Sequence, residues 1–415
     1  MFKRTTYLSK IEGAFLTVPI VVLIGARQVG KTSLMQSVDI QQKSLFLNGQ
    51  DIEIAALFEK LSTIESYLKV FLNKELDGYL LIDEFQYIEG ISTILKLLTD
   101  KNNKLKVLCS GSSSLNILQK LEESLAGRVR IIEVFSLSFE EYLMFSDKNL
   151  QQLYQSLDEN TLSSALTAPI EQKLAEFLVF GGLPRAALVN SYQEKIEILN
   201  DIYQTYLLKD IRNFIANEQV VGFNKLTQLL ALQTGNLVNI NKLSKESGLS
   251  YKICENFLFL LEQMYIIKMV APFHGNQRKA ITKMQKIYFC DVGLRNRLSN
   301  NFNSISIRSD NGAIFENFVF LELCKIKNNS TQIQFFRTAD GTEVDFIYNN
   351  LRSLTAIECK YKIFQKPVRF LALENFSLQN NIQNRFVINQ NLNIVAKGHH
   401  FLQGFLTEKL KNIIN

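Results

Sequence analysis

Histidine is scarce in this 415-residue chain, with only His274, His399 and His400. So few nearly exclude a multi-histidine metal centre or an enzyme that needs several imidazoles. The five cysteines (Cys109, Cys254, Cys290, Cys324, Cys359) are odd in number, scattered, and without a Cys-x-x-Cys pair. That argues against a disulfide framework or a zinc finger and fits a reducing cytosol. No run reaches the ~18 uncharged apolar residues that a spanning helix requires. The early apolar run from Phe15 to Gly25 is broken by Pro19 and ends in a glycine-rich loop, so no signal peptide is expected. A soluble, cytoplasmic protein with no membrane partner is the expectation. A bulk excess of one charge is also missing: 46 basic and 40 acidic residues leave +6. This excludes histone-like and arginine-rich DNA-coating proteins and leaves room for a local basic patch.

The chain does have apolar residues to bury, 47% hydrophobic against 21% charged, the balance of a folded protein with large cores. Its length suggests two or three domains at ~150 residues each. With five prolines, glycine and asparagine must supply most breaks. Ile20 to Ile24 is a continuous apolar run ending in Gly25, which reads as a buried parallel strand. Further strands are expected at Ser44 to Leu47, Tyr79 to Ile82, Lys106 to Cys109 and Val129 to Phe135, with helical segments between. Such alternation predicts a parallel α/β sheet.

Gly25-Ala-Arg-Gln-Val-Gly30-Lys31-Thr32 matches G-x-x-x-x-G-K-[ST] in the strand–loop–helix setting the motif requires. Gly25, Ala26, Arg27, Gln28, Val29, Gly30, Lys31, Thr32 and Ser33 are therefore the expected ATP-binding set. Backbone N–H groups would wrap the phosphates, Lys31 would reach the β- and γ-phosphates, and the Thr32 hydroxyl would coordinate Mg²⁺. Tyr79-Leu-Leu-Ile-Asp83-Glu84 is an apolar strand ending in two carboxylates. Asp83 would hold the Mg²⁺ through its water shell, and Glu84 would polarise the attacking water. Gln86, two residues on, is a contact for the nucleotide or for a neighbouring subunit. Lys106-Val-Leu-Cys-Ser110-Gly-Ser-Ser113 ends a strand in a polar cluster. Ser110 is its candidate γ-phosphate contact, with a plain serine turn as the other reading. Arg128 in Ala126-Gly-Arg-Val-Arg130 is either a transition-state cation, in cis or from a neighbouring subunit, or surface charge.

Between Ser138 and Glu218 the pattern is helical, with a turn at Gly181-Gly-Leu-Pro184. Asn241 to Ser250 reads as a short helix, a glycine turn and the start of a second helix, the layout of a helix-turn-helix, with Tyr265 to Val270 as a wing strand. Lys242, Lys245 and Lys252 give it a basic edge that Glu246 and Glu255 dilute, so DNA contact and internal packing both stay open.

Glu343-Val-Asp345 and Ala356-Ile-Glu358-Cys-Lys360 are strand-like runs carrying charges. Residues i and i+2 of a strand share a face, so Glu358 and Lys360 point the same way and Cys359 the other. Glu316 lies on a helix upstream. Plain cross-strand ion pairs would give the same pattern.

These motifs together resemble a known family. Gly-Ala-Arg-Gln-Val-Gly-Lys-Thr, Leu-Leu-Ile-Asp-Glu-Phe-Gln, Ser-Gly-Ser-Ser, Ala-Gly-Arg followed by Phe-Ser-Leu-Ser-Phe-Glu-Glu-Tyr, Phe180-Gly-Gly-Leu-Pro184 and Phe315-Glu-Asn-Phe-Val are similar to prokaryotic AAA-type ATPases. Those proteins are fused to a winged helix and a C-terminal domain of unknown function. Ala26 stands where that family usually has proline. The Glu316, Asp345, Glu358 and Lys360 set resembles the PD-(D/E)XK nuclease core. There the carboxylates hold Mg²⁺ or Mn²⁺ and the lysine orients the hydrolytic water.

The resemblance implies four parts: a P-loop parallel-sheet ATPase domain over 1–137, a helical lid region over 138–221, a winged-helix domain over 222–280, and a mixed α/β, restriction-endonuclease-like domain over 281–415. The expected function is an Mg²⁺-dependent ATPase acting on or near DNA or RNA. The alternative is a slow nucleotide-dependent switch whose C-terminal domain is a binding platform. Glu84 favours the enzyme, since a switch commonly loses that carboxylate. A homo-oligomer and a partner protein both stay open.

Overall fold

The computed structural model describes every residue except 1, 41, 113–124, 158–162, 209–210, 212–214, 274–283, 329 and 415. Ser113 of the expected polar cluster and the end of the expected third domain lie outside the described residues. The chain divides into two compact units, residues 1–135 with 263–265, and residues 136–262 with 266–415.

The first unit is built on a five-stranded sheet of β1 (Ile20–Gly25), β2 (Ser44–Asn48), β3 (Gly78–Asp83), β4 (Leu105–Ser112) and β5 (Val129–Glu133). Its order is β2-β3-β4-β1-β5 and every pairing is parallel. All six residues of β1 are buried, as a strand covered on both faces must be. Val22, Leu80, Ile82 and Val107 of the strands pack with Leu68 and Leu95 of the helices Leu61–Phe71 and Ile91–Lys101 in one core. Because the strands run in parallel, their C-terminal ends gather at one edge: Gly25 is opposite Ser112, and Ile82 is opposite Cys109.

The second unit begins with helices at Phe139–Ser146, Lys148–Ser156, Ser164–Phe180, Pro184–Ala187 and Tyr192–Ile202. The first of these starts with a reciprocal cap, Ser138 accepting from the Glu141 N–H and Glu141 from the Ser138 N–H. Three more helices follow, Val220–Leu232, Ile240–Ser247 and Tyr251–Gln263, then the antiparallel pair β6 (Ile267–Val270) and β7 (Lys286–Phe289). Gly248 ends the helix Ile240–Ser247 at φ 75°, the left-handed C-cap that glycine adopts at little cost.

Past the largely buried helix Asn311–Ile326 comes a mixed six-stranded sheet. Its strands are β8 (Gln332–Arg337), β9 (Glu343–Asn349), β10 (Leu354–Cys359), β11 (Asn384–Asn389), β12 (Ile394–Ala396) and β13 (His399–Gln403), in the order β12-β13-β11-β10-β9-β8. β8, β9 and β10 form an antiparallel meander. The helix Leu371–Gln379 then carries the chain to β11, which is parallel to β10. Among the described residues, no helix is long and apolar enough to cross a membrane.

Candidate functional site

The loop after β1 is shaped by its backbone. Gly25 has φ 148°, and a Cβ there would lie 2.2 Å from the Val134 carbonyl oxygen, so no other residue fits this turn. Gln28 and Gly30 also have positive φ, 64° and 90°. Such alternation bends successive N–H groups toward one point, a concavity suited to an anion. Lys31 opens the helix Lys31–Gln36 and is buried, its Nζ donating to the carbonyls of Gly25 at 2.9 Å and Ala26 at 2.8 Å. Burial pushes its ammonium down to about 8, against the pull of Glu84 and Asp83. Val29 is buried; Ala26, Arg27 and Gln28 are half-buried; Thr32 and Ser33 are exposed.

The parallel register brings the next residues to this loop. The Thr32 hydroxyl donates to Asp83 Oδ2 at 2.7 Å, and the buried Ser110 hydroxyl donates to Asp83 Oδ1. A hydroxyl and a carboxylate side by side are hard oxygen donors, the kind that Mg²⁺ prefers, so these residues fit the ion. Glu84 follows at φ 50°, a left-handed conformation uncommon for a residue with a side chain. Its Oε2 accepts from Gln86 Nε2 and from the Ser112 hydroxyl at 3.3 Å. Lys31, Thr32, Asp83, Glu84 and Ser110 thus converge at one edge of the sheet.

Arg128 does not join them. Its carbonyl accepts from the Ile20 N–H at 3.1 Å, at the start of β1, and its guanidinium pairs with Asp100 on the surface. The whole length of β1 separates it from the phosphate loop, ~3.3 Å for each residue. A cis role for Arg128 is therefore corrected: the opposite edge of the sheet keeps it from its own chain's loop.

In the second unit a buried set of charges gathers where helix Asn311–Ile326, β7, β9 and β10 meet. Glu316 comes from the helix, Asp345 and Glu343 from β9, and Glu358 from β10, with Lys360 just past its end. The cation at their centre is Lys286, which has no sequence motif. It is 1% exposed, and its Nζ lies 3.0 Å from Glu316 and 4.0 Å from Asp345, in contact with Glu343 as well. Although burial opposes it, Glu316, Asp345 and Glu343 hold the Lys286 ammonium well above its ordinary value. Tyr288 donates its hydroxyl to Glu316 at 2.5 Å. Asp345 Oδ2 accepts from the Cys359 N–H at 2.8 Å, and Lys360 pairs with Glu358 at 2.5 Å.

Glu358 Oε2 is buried with no hydrogen-bond partner among the described residues. Burial and the Asp345 charge push Glu358 up to about 8 and Glu316 up to about 7. Glu316 and Asp345 face the Lys286 ammonium with Glu343, while Glu358 pairs with Lys360, and the Asp345 charge acts on both groups. Among the described residues, no three His, Cys, Asp or Glu side chains stand where they could hold a metal ion.

Residues 17–143 match the family model of an AAA domain. The N-terminal unit is thus similar to AAA domains over those residues. Residues 171–304 and 311–404 match two models described as domains of unknown function, DUF8612 and DUF4143. An uncharacterized protein of Methanocaldococcus jannaschii is 25% identical over 89% of this chain and 83% of its own length. One from Haemophilus influenzae is 24% identical over 88% of each. The solved Walker-type ATPase of Pyrococcus abyssi overlays with a TM-score of 0.47 and 16% identity, covering 72% of this chain and 96% of that one.

Proposed function

We propose that this protein binds ATP with Mg²⁺ at residues 25–33 and hydrolyses it. The observation that carries this reading is the Thr32 hydroxyl against the Asp83 carboxylate at 2.7 Å, beside a loop whose backbone is bent to take an anion. Thr32 and Asp83 would hold the ion, which when bound neutralises charge on the β- and γ-phosphates. Lys31 exchanges the carbonyls of Gly25 and Ala26 for phosphate oxygens. Ser110 keeps Asp83 oriented through its hydroxyl. Glu84 takes the proton of the attacking water.

The four-part division 1–137, 138–221, 222–280 and 281–415 belongs to the same reading. Three helices followed by the β6–β7 ribbon support a winged helix. A helix, three antiparallel strands, a helix and a parallel fourth strand support a restriction-endonuclease-like fold at the C-terminus. Action on or near DNA or RNA follows from that pair of modules.

A second reading of the C-terminal part rests on Lys286. A resident ammonium against Glu316, Glu343 and Asp345 already supplies the positive charge a metal would bring. That favours a binding platform over a nuclease.

ATP turnover by the purified protein with and without DNA or RNA tests the first reading; absent turnover and absent ATP binding would refute it. Calorimetry with Mn²⁺ separates the C-terminal readings. Binding that Asp345→Ala weakens, together with Mn²⁺-dependent cleavage, supports the nuclease, and no binding supports the platform.

A further inference from the structure

Glu84 does not stand alone at the end of β3. Gln86 Nε2 donates to its Oε2 and also reaches the Ser112 hydroxyl oxygen at 3.2 Å, while Ser112 itself donates to the same carboxylate oxygen. We propose that Gln86 is a positioning residue for ATP hydrolysis, tying one Glu84 oxygen to the end of β4 and leaving the other to take the proton of the attacking water. This rests on the reading of Glu84 as the residue that polarises water.

Three observations carry it. Glu84 sits at φ 50°, and the chain turns at once into the short helix Phe85–Tyr87, which brings the Gln86 side chain back over its neighbour. A side chain held at positive φ needs its surroundings to fix it. Second, β4 is hollowed for this amide: a Cβ on Gly111 would stand 2.7 Å from Gln86 Oε1 and 2.7 Å from the Phe85 ring. Third, Gln86 Oε1 is buried without a hydrogen-bond partner among the described residues. An orphaned amide oxygen is costly, so the pose is selected by the contacts of Nε2. Those contacts are Glu84 and Ser112.

In the step itself the water oxygen bonds to the terminal phosphorus and the bridging P–O bond breaks, its electron pair leaving on ADP. The water proton passes to the free oxygen of Glu84. Gln86 gains and loses nothing. It removes the rotational freedom of the carboxylate, and misplacement of a reacting group is expensive in rate.

The test uses the full-length protein carrying Gln86→Met, which keeps the volume of the side chain and deletes its amide, and Gln86→Ala beside it. Both should lower kcat by roughly ten- to a hundredfold with the KM for ATP nearly unchanged, the pattern of a lost transition-state alignment. In a Glu84→Gln background, Gln86→Met should cause no further loss, because the group it orients is already gone. Wild-type kcat in Gln86→Met, a loss confined to KM, or a loss that multiplies with that of Glu84→Gln would overturn the proposal. Should Glu84→Gln itself turn over normally, the reading of Glu84 fails first, a result distinct from an unaffected Gln86→Met. Calorimetric ATP binding by Gln86→Met at wild-type affinity shows that the variant is folded.

Discussion

Thr32 and Asp83 lie 51 residues apart in the chain and meet across 2.7 Å. The parallel sheet makes that meeting obligatory. β1 and β3 flank β4 and run the same way, so the residue after one phosphate turn and the last residue of the other strand emerge at one edge.

Lys31→Ala should abolish ATP binding or weaken it by at least about tenfold, since charge-assisted phosphate contacts contribute roughly 1.5–3 kcal/mol. The fold should persist, judged by an unchanged far-ultraviolet dichroism spectrum. Unaltered ATP affinity measured by calorimetry would remove Lys31 from the site.

Glu84→Gln should bind ATP normally and hydrolyse it about a hundredfold more slowly or worse, because the amide cannot accept the water's proton. Single-turnover kinetics separate this from slow product release. Unimpaired chemistry in that variant would hand the role to another residue.

Lys286→Ala should destabilise the second unit by about 3–5 kcal/mol, the usual result of stripping one partner from a buried ion pair. Glu316, Glu343 and Asp345 would then lack the ammonium they share. Urea unfolding measures the loss, and a change within error would mean that water already serves those carboxylates.

Glu408, in the turn Gly404–Leu410, predicts a pH dependence. Burial, then the charges of Glu322 and Glu140, push it from 4.5 up to about 8 against a hydrogen bond from Ser138, and its Oε2 has no hydrogen-bond partner among the described residues. Its neighbourhood also holds Lys325 paired with Glu322 at 2.8 Å, Glu141 and the Tyr154 hydroxyl. A carboxyl whose folded value is raised keeps its proton in the native state, so stability is lost as pH rises from about 4.5 to about 8. Up to about 1.4 kcal/mol is lost per pH unit over that window. Glu408→Gln should flatten this slope, raising Tm at pH 8 and leaving it unchanged near pH 4.5. Parallel Tm curves for the two proteins would contradict the assignment.

The sheet of the first unit was legible because each strand is a short apolar run bounded by turns. Ile20–Ile24 and Tyr79–Ile82 needed nothing beyond their own side chains to be recognised. β4 was expected to end at Cys109 and runs on to Ser112. The reason lies outside the strand: Ser110 and Ser112 find acceptors on Asp83 and Glu84. Glu358 and Lys360 were paired by alternation alone. Lys286 was illegible, because a single lysine at the start of a strand carries no signal until three carboxylates from other segments close round it. Arg128 misled for the opposite reason. Its neighbours resemble a motif, yet it precedes β5 and so falls at the far edge.

The end of β4 has one more consequence. Two hydroxyls two residues apart on a single strand, Ser110 and Ser112, reach the two adjacent acids of β3. Alternation points both hydroxyls to the same side. A slip of this strand end along its axis would therefore loosen both serine contacts together, leaving Asp83 to Thr32 and Glu84 to Gln86. The β4 contacts of Asp83 and Glu84 thus share one mechanical coordinate.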